Sequence, residues 1–230
     1  MKPIIKVIIP AHNEADAITK VIHDIPDSVA EIIVVDNAST DSTSKNAKNA
    51  RATVLFEPKK GYGHACLKGI DYIENQKETT EIVVFLDGDY SDYPEELEKL
   101  VAPIIDNNVD FVLGTRARAL REKGAMQPQQ IFGNWLATTL MTLFFKSKFT
   151  DLGPFRAIKC PVLKALMMED KTYGWTVEMQ LKILKKEFTY LEVPVNYRNR
   201  IGISKVSGTL KGSIFAGIKI LTWIFKYSFK

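Results

Sequence analysis

Residues 4–9, 31–35, 53–56, 82–86 and 110–113 are short runs rich in Ile, Val, Leu and Phe, and a segment of helical spacing follows each of the first four. In residues 11–25, for example, the apolar positions are Ile18, Val21, Ile22 and Ile25. Short runs of β-branched and bulky residues predict strands buried on both faces. Strand and helix in regular alternation predict an α/β fold, a mostly parallel central sheet with helices on both faces. In such a sheet the strands end along one edge, and ligands gather outside their carboxyl ends. The residues that leave these strands are polar: Asn13, Asp36, Lys60, Asp87, Asp89 and Arg116.

The segment E-I-V-V-F-L-D-G-D-Y-S-D, residues 81–92, carries the most specific chemistry. Asp87 and Asp89 close a run of five apolar residues. Two carboxylates at the end of a buried strand are costly unless something neutralises them. A hard divalent cation, Mg²⁺ or Mn²⁺, suits them, because it takes carboxylate oxygens and then a substrate's phosphate oxygens. The tripeptide alone also fits a polar turn that ends a strand, since Asp and Gly dominate turns. Convergence of paired acids, a basic Gly-rich loop at 59–63 and an arginine on one sheet edge favours the metal site.

Bulk properties narrow the field. The net charge of +4 is mild, and no dense Lys/Arg block points to nucleic acid. Cys66 and Cys160 lie far apart without metal-ligand spacing, which fits a reducing compartment. No signal-peptide pattern is expected at the start, and no run of 18 apolar residues would span a bilayer. No repeat or linker is evident, so residues 1–230 read as a single domain. The second half contains a polar, basic stretch at 117–130, an apolar helix at 131–145, a helix at 176–185, a strand at 189–197, a basic loop at 198–208 and a last helix from 208 onward.

Together the segments I-I-P-A-H-N-E, V-V-D-N-A-S-T-D, K-G-Y-G, F-L-D-G-D, G-T-R, D-L-G-P-F-R and R-N-R-I-G-I-S-K-V-S-G-T resemble the family 2 glycosyltransferases of GT-A (Rossmann-like) fold. More narrowly, they resemble the dolichyl- or polyprenyl-phosphate sugar synthases. The resemblance covers essentially the whole chain. It implies that residues 1–116 bind a nucleotide sugar and residues 117–230 the acceptor. Pro10, Ala11, Asn13, Glu14 and Asp36 would line the nucleotide pocket, with Asp36 accepting from uracil or guanine. Lys60 and Gly61 would border base and ribose. Gly88 would sit where only a small residue lets the ribose and diphosphate approach. Asp87 and Asp89 would hold Mg²⁺ or Mn²⁺. Many relatives offer a further polar ligand two residues on, often Gln. Here that position is Ser91, beside Asp92, which leaves the third protein ligand open.

The implied reaction is inverting transfer of a hexose from UDP or GDP to a polyprenyl or dolichyl phosphate. A lipid phosphate is already anionic near neutral pH and needs no strong base. Asp89, Arg116 and Asp151 are the candidate catalytic groups, Asp151 orienting the acceptor or acting as a base. Arg116, Arg198, Arg200 and Lys205 are candidates for phosphate binding, since Arg forks suit phosphate. Trp175 and Glu178 are candidates for the acceptor or sugar border. A family 2 enzyme with a soluble or saccharide acceptor is the alternative. A sugar-phosphate nucleotidyltransferase is a weaker one, because loop 11–14 has no glycine.

The last helix places Lys211, Lys219, Lys226 and Lys230 on one stripe of an otherwise apolar, aromatic-rich wheel. This helix (209–228) and the helix at 131–146, followed by Lys148, read as amphipathic helices lying in a membrane interface. The expected location is cytoplasmic, peripheral at the inner face of the membrane. Packing of both helices on the domain, or a homodimer contact, is the competing reading.

Overall fold

A computed structural model describes residues 3–202 and 210–228. The first four strands are β1 (Ile5–Ala11), β2 (Glu31–Asp36), β3 (Thr53–Phe56) and β4 (Ile82–Phe85). Helices α1 (Ile18–His23), α2 (Thr43–Asn49) and α3 (Tyr62–Glu74) connect them. After β4 come α4 (Leu97–Asn107), β5 (Phe111–Thr115), α5 (Pro128–Phe145), β6 (Arg156–Lys159) and α6 (Cys160–Leu166). The chain closes with α7 (Trp175–Lys185), β7 (Tyr190–Pro194) and α8 (Leu210–Ser228). The expected strands are all present, within a few residues.

The sheet has seven strands in the order β3-β2-β1-β4-β6-β5-β7. All neighbouring pairs are parallel except those of β6, which is antiparallel to both β4 and β5. Two antiparallel pairings in succession restore direction. β4 and β5 therefore point the same way, and Asp87 and Arg116 leave the sheet at the same edge. The register of β6 between them could not be read from alternation alone.

The pleat sends alternate side chains to opposite faces. Val7, Ile9, Ile82 and Val84 pack with α1, α2 and α4. Ile8, Ile33, Val83 and Phe85 pack with α3, α5, α6, α7 and α8. All seven β1 residues are buried, as expected for a central strand covered on both faces. α8 joins this second layer through Trp223 and Ile224.

Candidate active site

Two cavities meet at the carboxyl edge of the sheet. One, about 350 Å³, is lined by Pro10, Ala11, Glu14, Lys60, Gly61, Asp87, Gly88 and Asp89. All but Asp89, a candidate metal ligand and catalytic group, were sequence candidates for the nucleotide sugar. His12, Asn37, Tyr62, Ala65, Tyr173 and Arg200 complete it. The second, about 310 Å³, runs from the same carboxylates past Arg116, Trp175 and Tyr197 to Ala216, Gly217 and Ile220 of α8. Tyr62, Asp87, Asp89, Tyr173 and Arg200 line both.

One arginine, Arg200, stands among several acids at the junction. Asp87 accepts a hydrogen bond from the Tyr62 hydroxyl at 3.1 Å. Burial and the neighbouring Asp89 carboxylate push its carboxyl up to about 7. Asp89 Oδ1 accepts from the Ser91 amide at 2.9 Å and the Ser91 hydroxyl at 2.6 Å. Ser91 thus faces Asp89 as a donor. Arg200 bridges the acids, with one amino group 3.0 Å from Asp89 Oδ2 and the other 3.0 Å from Glu14 Oε1. Asp92 is 1% exposed, and neither carboxylate oxygen has a partner among the described residues. Burial, then Asp87 and Asp89, raise its carboxyl well above the usual range.

Other candidates build the walls. Asp36 accepts from the Ser39 amide at 2.9 Å and from the Ser44 hydroxyl, so both oxygens hold the loop after β2. Asn13 accepts from the Thr40 amide at 2.8 Å. Neither Asp36 nor Asn13 lines the first cavity; Asn37 does. Its amide donates to the carbonyls of Glu57 and Lys59 and its oxygen accepts from the Gly61 amide, which ties the K-G-Y-G loop to β2. A methyl at Gly88 would rest 3.4–3.5 Å from Ile9, Ala11 and Ile18, ordinary contacts. The protein itself does not demand glycine there.

Asp151 and Arg116 form a buried fork. The Arg116 Nε and Nη2 donate to the two Asp151 oxygens at 2.9 and 2.6 Å, and the Arg116 amide adds a third bond at 2.8 Å. Burial favours protonation of Asp151, but the Arg116 guanidinium outweighs it and holds the carboxyl below its ordinary value. Asp151 lines a smaller cavity with Arg116, Arg118 and Arg121.

Two further candidates, Arg198 and Glu178, fall elsewhere. Arg198 is sandwiched between the rings of Tyr90 and Tyr93, 3.4 and 4.1 Å from their centroids, and donates to the carbonyls of Tyr90 and Asp92. Glu178 is 0% exposed, accepts from the amides of Glu169 and Asp170, and pairs with Lys182 at 2.7 Å. Lys205 lies outside the described residues.

Sequence reasoning passed over His12, Tyr62, Tyr173 and Arg156. Tyr62 sat within a motif already singled out. Arg156 closes the D-L-G-P-F-R segment but was given no role: it is 0% exposed and donates to the carbonyls of Gly153 and Thr176. Burial lowers it to about 10.

The model of the glycosyl transferase family 2 matches residues 6–167. The chain belongs to this family. An uncharacterized glycosyltransferase of Mycobacterium tuberculosis (strain ATCC 25618 / H37Rv) is 32% identical over 215 residues, 92% of this chain and 94% of its own length. The undecaprenyl-phosphate mannosyltransferase of Micrococcus luteus is 26% identical over 229 residues, 94% of this chain and 92% of its own. Among solved structures, glucosyl-3-phosphoglycerate synthase from Mycobacterium tuberculosis, in complex with Mn²⁺, UDP-glucose and phosphoglyceric acid, has the same fold. Its TM-score is 0.79 at 20% identity, covering 98% of this chain and 80% of that one. The central sheet of this family 2 glycosyltransferase is therefore a GT-A sheet.

Proposed function

We propose that this glycosyltransferase moves a hexose from UDP or GDP to a polyprenyl phosphate, with inversion and with a divalent cation. The observation that carries the proposal is the meeting of the two cavities at Asp87 and Asp89, with the second cavity walled in part by α5 and α8, which present apolar surface. Its exposed side chains are Ile131, Phe132, Trp135, Leu143 and Phe144 of α5, with Ile218 and Phe225 of α8. A lipid tail could lie along it while the phosphate reaches the carboxylates. The 26% identical mannosyltransferase, named for undecaprenyl phosphate, supports the same acceptor.

The donor set fits Mg²⁺ or Mn²⁺. Asp87 and Asp89 supply hard oxygens, and burial together with the adjacent Asp89 carboxylate holds the Asp87 carboxyl up, a cost that a bound cation would offset. Among the described residues no cluster of three or more ligating side chains exists, so substrate phosphate and water would complete the shell. When bound, the cation neutralises charge developing on the leaving nucleoside diphosphate. Within residues 1–116 the wall from Pro10 to Glu14, with Lys60 and Gly61, holds the nucleotide. Arg200, next to Asp89, meets the diphosphate. Arg116, at the boundary with the acceptor half 117–230, faces the acceptor phosphate, and Asp151 orients Arg116 instead of taking a proton. The acceptor phosphate attacks as an anion. Residues 1–230 act as one domain in this reading, seated peripherally at the cytoplasmic face of a membrane. Among the described residues no helix is long and apolar enough to cross one.

A soluble phosphorylated acceptor is the second reading, since the fold neighbour is named for phosphoglyceric acid. A screen of radiolabelled UDP- and GDP-hexoses, with Mg²⁺ or Mn²⁺, against short-chain polyprenyl phosphate and phosphoglyceric acid separates the two. Label entering the organic phase supports the lipid acceptor, and label confined to water with phosphoglyceric acid rejects it. Asp89→Ala is expected to lower transfer by at least about 100-fold while the circular dichroism spectrum is kept. Retained turnover would remove Asp89 from the mechanism.

A further inference from the structure

The loop between α6 and α7 carries Tyr173, which lines both cavities. A single carboxylate, Asp170, organises that loop. It is 2% exposed. Its Oδ1 accepts from the amides of Thr172 at 2.7 Å and Gly174 at 3.0 Å. Its Oδ2 accepts from the Trp223 indole at 2.6 Å and pairs with Lys219 at 3.1 Å, both on α8. Gly174 leaves the space this needs: a methyl there would lie 2.4 Å from the Trp223 ring.

The other side of the loop meets the donor cavity. The carbonyls of Lys171 and Thr172 accept from the amides of His64 and Gly63, at 3.1 and 3.3 Å, in the first turn of α3. Those first-turn amides otherwise have no partner within the helix. The lining residues Lys60, Gly61 and Tyr62 directly precede them, and the Tyr62 hydroxyl touches Asp87. A continuous chain of polar contacts therefore runs from α8 through Asp170 to the start of α3 and to the carboxylates.

We infer that Asp170 is a positioning residue through which α8 sets the shape, and hence the affinity, of the nucleotide cavity. This rests on the donor assignment above and deepens it. Lys219 and Lys226, half of the basic stripe of the helix expected in a membrane interface, reach Asp170 and Glu169, the latter at 3.7 Å. The lysine side of α8 is thus part of its docking contact, while Ile218 and Phe225 are exposed.

The test uses the full chain and the variants Trp223→Phe, Lys219→Met and Asp170→Asn. UDP and GDP, each with MnCl₂, are titrated calorimetrically, and hydrogen exchange is followed at residues 61–65. Trp223→Phe keeps a smaller aromatic ring and removes the donor, and is expected to weaken nucleotide binding about fivefold, beyond what any fall in the thermal midpoint accounts for. Exchange at 61–65 should speed up while the β1 and β4 segments stay protected. Lys219→Met, at a half-exposed site, should act in the same direction even if Asp170→Asn fails to fold. Wild-type affinity and exchange in both Trp223→Phe and Lys219→Met would overturn the inference, as would losses that merely track global unfolding. If the wild-type protein binds neither UDP nor GDP, the donor assignment is at fault, and the exchange at 61–65 alone decides whether Asp170 couples α8 to α3.

Discussion

Arg200 spans Glu14 and Asp89, so a cation belonging to the protein stands at the acidic junction. It relieves Asp87 only in part: burial and Asp89 outweigh it, and that carboxyl sits at about 7. The sign of the consequence follows from linkage. The folded state binds this proton more tightly than the unfolded chain, so stability falls as pH rises from the ordinary carboxylate range to about 7. Asp87→Asn removes that penalty. Without divalent cations, the variant should melt above the wild-type protein at pH 8, by about 2–4 °C for each ~1 kcal/mol relieved. The difference should vanish at about pH 4, and calorimetric scans across that range check it. The sequence showed the paired acids at this scale. It could not show that Asp151 is already committed to Arg116, or that Arg198 is held between two tyrosines, because each depends on partners far away along the chain.

The start of α3 shows how an element's end is set by a distant loop. A methyl on Gly63 would lie 2.0 Å from the carbonyl oxygen of Asp170, and backbone atoms cannot rotate aside. Gly63→Ala is therefore expected to cost at least about 2 kcal/mol in urea unfolding and to weaken nucleotide binding as well. Gly133, inside α5, is the control. A methyl there meets nothing within 4 Å, so Gly133→Ala should be neutral or stabilise by up to about 1 kcal/mol. The K-G-Y-G segment was legible as a Gly-rich basic loop. The reason for its second glycine was not, since it lies in the approach of residues 170–172 and in no local turn.

At the scale of the whole molecule, α5 and α8 leave an apolar face open. Phe144 and Phe225 touch across it, with ring centroids 5.8 Å apart. Trp135 is 58% exposed, while Trp175 and Trp223 are 1% and 6% exposed, so any environmental change at this face reports through Trp135. Aromatic and aliphatic side chains in such a face favour the interface of a bilayer. Vesicles containing anionic lipid should shift tryptophan emission to the blue, and Trp135→Phe should abolish most of that shift. Emission unchanged by vesicles would favour a protein contact for this face.

The buried strands, their polar exits, the acid pair after β4 and the family motifs were all set by the sequence itself, because local apolar pattern and residue type need no partner to be read. Only the tertiary structure decided which of the polar residues line the cavities and which are consumed in holding them. β6 inserts antiparallel to both β4 and β5, and so Asp87 and Arg116 leave the same edge but one strand apart. α8 had to dock before Asp170, Trp223 and the start of α3 could form one chain of contacts. Hydrogen bonds act over about 3 Å, and sequence separation says nothing about which groups will come that close.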